Sequence, residues 1–158
     1  VEFVSEQTEW QHKWEKDVLT YDVEHHETLK LISKRQLKRA VNLAVSTWNF
    51  EIPLKFKSAW NTQADIEIRF KTKEENILKT YNLYAVLIHE LGHTLGLKHD
   101  VTGKKDGADI MDPYYSVTNL DLSDRDIYRI RVKYGQRVWD RYRWYMIIKR
   151  WLSLAIRR

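Results

Sequence analysis

The sequence predicts an α+β domain of mixed α/β character: a small twisted sheet, a helix that carries a cluster of histidines, and a further helix near the C-terminus. Three observations point there. β-Branched or alternating runs stand at 18–23 and 64–70, and a side-chain period of two reads as strand. Two stretches open with the spacing of a capping box, Ser33 with Gln36 and Ser123 with Asp126. A third, 84–88, is apolar and free of Gly and Pro, and runs straight into the histidines.

In chain order, Val18-Leu19-Thr20-Tyr21-Asp22-Val23 is the first expected strand. His25 and His26 follow among acidic residues and read as a solvated loop. Ser33 opens a helix on which Leu37, Val41, Ala44, Val45 and Trp48 recur at helical spacing, a stripe suited to burial. Pro53 stops it, and Leu54-Lys55-Phe56 reads as a short strand. In Ala64–Phe70 the alternation puts Ile66, Ile68 and Phe70 on one face. Residues 71–79 are charged and of no clear form. A helix is expected from about Asn82 to Leu95, then a Gly- and charge-rich stretch from Asp100 to Asp109. The last helix of the domain starts at Ser123, turns Ile127, Ile130 and Tyr134 inward and ends at Gly135. No internal repeat is visible.

Residues 89–99 read His-Glu-Leu-Gly-His-Thr-Leu-Gly-Leu-Lys-His, a His-Glu-x-x-His-x-x-Gly-x-x-His pattern. On a helix, residues four apart lie about 40° apart around the axis and about 6 Å along it. His89 and His93 therefore share a face and can share one metal ion. Glu90 stands beside them, placed to hold a metal-bound water and take its proton. A third ligand only six residues later requires a sharp turn of the chain. Gly96 allows it, because glycine tolerates the positive φ that ends many helices. His99 then returns to the ion. Three neutral imidazoles leave a fourth position open, the pattern of a catalytic zinc site. Five fixed positions match by accident in a chain of this length with a chance below roughly one in 10^5.

The 158 residues suffice for one domain with a core, and 43% hydrophobic and 13% aromatic residues speak for a folded globule. The absence of cysteine removes disulfides and thiolate ligands from consideration. Val1–Trp10 carries Glu2, Glu6 and Glu9 and lacks the apolar core of a secretory signal. The net charge of +5 is uneven: residues 137–158 hold seven of the 27 Lys and Arg but only Asp140 among the 22 acids. The body is thus close to neutral, and no nucleic-acid partner is expected. The division is accordingly 1–135 as the domain and 136–158 as a basic, aromatic helical tail.

With these pieces in place, the chain resembles the metzincin metallopeptidases, a zincin-like fold, and within them the matrix metalloproteinase (matrixin) catalytic domain. The resemblance runs from about Trp14 to Gly135. It rests on Leu19-Thr20-Tyr21, Trp48, Pro53-Leu54-Lys55-Phe56, Ala64–Phe70, the histidine motif, Ile110-Met111-Asp112-Pro113-Tyr114-Tyr115, and Leu122-Ser123 through Tyr134-Gly135, in the family's order. It implies His89, His93 and His99 as ligands of one zinc per chain and Glu90 as general base. Met111 corresponds to the Met-turn residue, an apolar floor beneath the ligands. Pro113 and Tyr115 correspond to a wall of the pocket that receives the side chain after the scissile bond. The activity implied is peptide-bond hydrolysis in a protein or peptide substrate by a secreted or extracellular monomer.

The chain also departs from that family. Only 71–88 separate the Phe70 strand from His89, where matrixins carry a longer insert with a structural zinc, a calcium loop and a substrate-binding edge strand. No second His cluster and no Asp/Gly-rich loop stands there, which speaks against calcium. The nearest substitute edge for an extended substrate is Asp65, Ile66, Glu67 and Ile68. Asp100 replaces the hydroxyl residue that matrixins place after the third histidine. Beyond Gln136 lies a run of Trp, Tyr, Ile and Leu interspersed with Arg and Lys. Such a helix can lie on a membrane surface or meet an anionic partner, or pack on the body. Two rival readings follow: a zinc-binding shell with weak turnover that acts as a binding module, and a membrane- or partner-binding protein acting through its tail.

Overall fold

The computed structural model describes residues 2–5, 13–24, 32–59, 63–69, 82–100, 109–114 and 120–138. The elements are β1 (Glu2–Ser5), β2 (Val18–Val23), α1 (Lys34–Glu51), β3 (Lys55–Ser58), β4 (Ile66–Arg69), α2 (Leu83–Thr94) and α3 (Asp124–Tyr134). The mixed α/β class expected from the sequence is what the chain adopts.

α1 begins where its capping box dictates. Ser33 Oγ accepts from the Gln36 backbone N–H at 3.2 Å, and Gln36 Oε1 accepts from the Ser33 N–H at 2.9 Å. The helix stops at Glu51, Ile52 is extended and Pro53 follows. β2 pairs in parallel with both β3 and β4, Tyr21 facing Ser58 on one side and Ile66 on the other. Parallel neighbours cannot be joined by a tight hairpin, and α1 supplies the crossover between β2 and β3.

The stripe Leu37, Val41, Ala44, Val45 and Trp48 is buried as its spacing predicts. It shares one core with Leu19, Tyr21, Ile66 and Ile68 of the sheet and with Leu87, Ile88 and Leu91 of α2. Removing side chains of this size from water contributes about 1.5–3 kcal/mol each. Trp48 also donates its Nε1–H to the Ile88 carbonyl at 2.9 Å, so the packing of α1 on α2 has a fixed register.

One sequence expectation is corrected. The sheet runs β1-β4-β2-β3, so β4 is an inner strand. Asp65, Ile66, Glu67 and Ile68 therefore do not form a free edge. β1 pairs antiparallel along β4, from Glu2 opposite Arg69 to Ser5 opposite Ile66, and also meets α2. Ile66 and Ile68 are fully buried. The Asp65 carboxylate accepts from the Thr20 N–H at 2.7 Å, from the Thr20 hydroxyl at 2.9 Å and from Lys16. Burial alone would raise its pKa, but these donors outweigh burial and hold it below the usual carboxylate range. Asp65 is a staple between β4 and β2. The four-residue Glu-Phe-Val-Ser run was too short and too close to acidic neighbours to be read as a strand without its partner.

One further contact lies just beyond the division drawn at 136. Arg137 is buried: its guanidinium donates to the carbonyls of Ile52 and Leu54 at 2.7 and 2.8 Å and to Asn49 Oδ1 at 2.8 Å. Its own N–H reaches the Glu51 carbonyl at 3.1 Å. Arg137 thus belongs to the body and closes the end of α1. Residues 139–158, on which the membrane or anionic-partner reading falls, lie outside the described residues, as do His25, His26 and 70–81. No helix among the described residues is long and apolar enough to cross a membrane.

Candidate metal centre

α2 is built to hold its C-terminal end still. Asn82 caps the start, its Oδ1 accepting from the Tyr84 N–H at 3.0 Å. Gly96 has φ 82°, and the chain closes in a Schellman turn: Gly96 N–H to the His93 carbonyl at 2.8 Å and Leu97 N–H to the Gly92 carbonyl at 3.0 Å. The carbonyls that every helix end leaves over find distant donors. Trp14 Nε1 donates to the Thr94 carbonyl at 2.8 Å, the Tyr134 hydroxyl to that of Leu95 at 3.1 Å, and Lys133 Nζ to that of Gly96 at 2.9 Å.

This turn brings the three histidines together. The Nε2 atoms of His89 and His93 are 3.1 Å apart, His93 and His99 3.1 Å, His89 and His99 3.2 Å. The opposite nitrogens reveal the tautomers. His89 Nδ1 stands 2.6 Å from the Ile110 carbonyl and His93 Nδ1 2.8 Å from the Leu97 carbonyl. A carbonyl only accepts, so both Nδ1 atoms carry the proton and both Nε2 atoms present lone pairs. Two lone pairs facing each other at 3.1 Å cannot hydrogen-bond; a cation between them is what satisfies both. Nitrogen ligands about 2.0–2.1 Å from one tetrahedral zinc would stand about 3.3–3.4 Å apart, close to the spacing found. The residues fit a zinc ion, and among the described residues they are the one such cluster.

The electrostatics agree with that donor set. Burial lowers the pKa of all three rings, because desolvation disfavours the imidazolium. His93 falls to about 4, with further lowering from His89, His99 and Arg129 set against the Leu97 hydrogen bond. His99 is exposed and is lowered by burial and by His89, while Glu90 and Asp112 pull the other way. Burial thus favours the neutral form of each ring, the form a metal ligand must take. The Glu90 carboxylate, one residue after His89 and half-buried, is near enough to act on His99.

Met111 is fully buried, its sulfur against Gly92 between the two helical ligands. A Cβ at position 92 would overlap that sulfur and crowd Trp48, so only glycine lets the turn approach the helix. The Met111 carbonyl also accepts from the Asp100 N–H at 2.8 Å, which ties this turn to the residue after His99. Pro113 is exposed one turn further on, where Asp112 Oδ1 accepts from the Tyr114 N–H at 2.8 Å. Tyr115 lies outside the described residues.

Sequence reading missed Asp126. Its capping box is visible in the chain, but its second task is not. Fully buried, Asp126 accepts from the Ile110 N–H at 2.8 Å and lies 3.4 Å from the Met111 N–H, while still capping Ser123. The carboxylate that starts α3 therefore holds the turn that orients His89.

Comparison with known proteins agrees with this geometry. The family model described as Matrixin matches residues 13–79 and 72–135, in two segments that meet where the chain between β4 and α2 is short. The chain is 30% identical to interstitial collagenase of Sus scrofa over 160 residues, 78% of this chain and 33% of that protein. Neutrophil collagenase of Homo sapiens is 26% identical over 162 residues, again 78% of this chain and 33% of the relative. Matrix metalloproteinase-26 of Homo sapiens is 28% identical over 164 residues, covering 79% of this chain and 60% of the relative. The chain spans about a third of the collagenases it matches. A family match over most of the chain, joined to the histidine cluster and the turn beneath it, places this protein in the matrixin family.

Proposed function

We propose that the chain is a zinc-dependent endopeptidase that hydrolyses peptide bonds in proteins or peptides. The observation that carries this reading is the meeting of three imidazole Nε2 lone pairs at 3.1–3.2 Å, two of them fixed by carbonyls behind. A zinc ion bound there supplies a Lewis acid that polarises the scissile carbonyl and lowers the pKa of water. His89, His93 and His99 would hold it through their Nε2 atoms. Glu90 takes a proton from the attacking water at its carboxylate and returns it to the nitrogen of the departing amine. Pro113 and Tyr115 serve as a wall for the residue after the cleaved bond.

Because β4 is covered, substrate backbone in this reading runs along the outer edge of β1, the strand that meets α2. One zinc per chain is expected. An extracellular setting is inferred from the similarity to interstitial collagenase.

The test is cleavage of an unstructured protein substrate with and without a metal chelator, beside Glu90→Ala. Cleavage abolished by chelator and reduced at least about 100-fold in the variant supports the reading. Zinc retained with no cleavage of any substrate by the parent chain overturns it in favour of a binding shell.

A further inference from the structure

His89 and His93 each have an acceptor behind the ring, but no described residue supplies one for His99. Its Nε2 faces the other two rings, and among the described residues no carbonyl or carboxylate takes its Nδ1. Metal-ligating histidines are normally oriented through that second nitrogen. His99 is also the exposed one and lies on a turn, not on the helix. Its position must come from the backbone on either side.

That backbone lies against one face of α3. Arg125, Arg129 and Lys133 are four residues apart and so form a single cationic stripe. Lys133 Nζ donates to the Gly96 carbonyl at 2.9 Å. Arg129 Nη2 donates to the Lys98 carbonyl at 2.7 Å, the peptide immediately before His99. Arg129 Nη1 stands 3.7 Å and Arg125 Nη1 3.4 Å from Asp100 Oδ2, the carboxylate immediately after it. The Asp100 side chain is only 8% exposed, and Arg129 Nη1 is buried, so this attraction is little screened by water. Arg125 also stands 3.7 Å from Asp109, at the entry to the Met111 turn. Arg129 thus hydrogen-bonds the peptide before His99 and stands within ion-pair range of the carboxylate after it, a planar fork that a lysine cannot reproduce at both points.

We propose that Arg129, supported by Arg125 through Asp100, is a positioning residue that presents the His99 imidazole to the metal, in place of an outer hydrogen bond that no described residue supplies. The inference rests on the metal-site reading above but not on peptidase activity.

The experiment measures zinc affinity by competition with a chromophoric chelator, the visible absorption of the cobalt(II)-loaded chain, and the melting temperature of the metal-free chain. The variants are Arg129→Ala, Arg129→Lys, Asp100→Asn and, as a control, Arg131→Ala. Arg131 is on the same helix but pairs with Glu51 at 2.6 Å, away from the turn. Arg129→Ala should weaken zinc binding about 10- to 100-fold and alter the cobalt spectrum, the usual effect of removing an outer partner. Asp100→Asn should weaken it less, and Arg129→Lys should recover part of the loss. Arg131→Ala should lower the melting temperature with zinc affinity unchanged.

Parental zinc affinity and cobalt spectrum in Arg129→Ala would overturn the proposal. So would an equal loss of affinity in Arg131→Ala, which would make the effect one of general stability. If Arg129→Ala does not fold, Asp100→Asn decides alone: unchanged affinity and spectrum refute, weakened affinity with an altered spectrum supports. A parent chain that binds no zinc would refute the metal-site reading itself, a different and separately visible outcome.

Discussion

His89 donates its Nδ1–H to the Ile110 carbonyl at 2.6 Å, although 21 residues of chain separate the two. The bond links the helix that carries His89 and His93 to the turn that carries Met111. Ile110 is itself held through its N–H by Asp126 on α3. Carboxylate, turn and imidazole form one line of support behind His89.

Asp126→Ala is therefore expected to damage both fold and site. It leaves the N–H groups of Ile110 and Ser123 without their acceptor in a buried place, at a cost of about 2–4 kcal/mol. Denaturant unfolding measures that loss. Zinc affinity should fall as well, because the turn that orients His89 is released. An Ala variant with parental stability would contradict the role assigned to Asp126.

Gly92→Ala tests the contact between helix and turn. Alanine ordinarily favours a helix over glycine by about 0.5–1 kcal/mol. Here its methyl group would meet the Met111 sulfur and Trp48. Overpacking of a core typically costs about 1–3 kcal/mol, so the net change is expected to be destabilising. A melting temperature equal to or above that of the parent chain would show that the turn yields freely.

The metal-free chain should lose stability as the pH falls from about 6.5 toward about 4. The sign follows from the direction of the shifts. His89, His93 and His99 have lower pKa values folded than the ordinary 6.5, with His93 at about 4. In that window the unfolded chain binds more protons than the native one, so stability rises with pH and is fully present above about 6.5. With allowance for solvent at the partly open rings, the His93 contribution is on the order of 1 kcal/mol. Melting curves between pH 5 and 7 in the presence of chelator, above the range of ordinary carboxylates, measure it. His93→Gln should flatten the slope. Zinc occupancy should fall over the same range, since protons compete for the same lone pairs.

Deletion of residues 1–5 probes the sheet edge. Exposed β4 could then receive substrate directly, or the cleft could lose the strand it uses. The proposed reading predicts the second outcome: KM for an extended peptide rises several-fold while zinc affinity is unchanged. An unchanged or lower KM would assign β1 the role of a cover for β4.

The histidine motif and the helix ends were legible because their physics is local. A capping box, a left-handed glycine and two imidazoles on one helical face involve partners within about four residues, and Ser33, Ser123, Gly96, His89 and His93 all stand where that reasoning put them. The stripe from Leu37 to Trp48 was legible for the same reason, since helical period alone selects the buried face. β1 was not, because four residues carry too little period to read without the strand beside them.

The sequence by itself determined which atoms can bind a metal, how they are spaced and where the helices begin and end. Only the tertiary structure decided what stands behind His89 and beside His99: the Ile110 carbonyl and the Arg129 guanidinium. It also decided that β4 is an inner strand, and that Trp14 and Tyr134, 120 residues apart, together seal the end of the metal helix. The physical reason is range. A cap or turn is satisfied by near neighbours in the chain, whereas a buried carbonyl, a guanidinium or a strand edge takes whichever partner the packed core brings within about 3 Å.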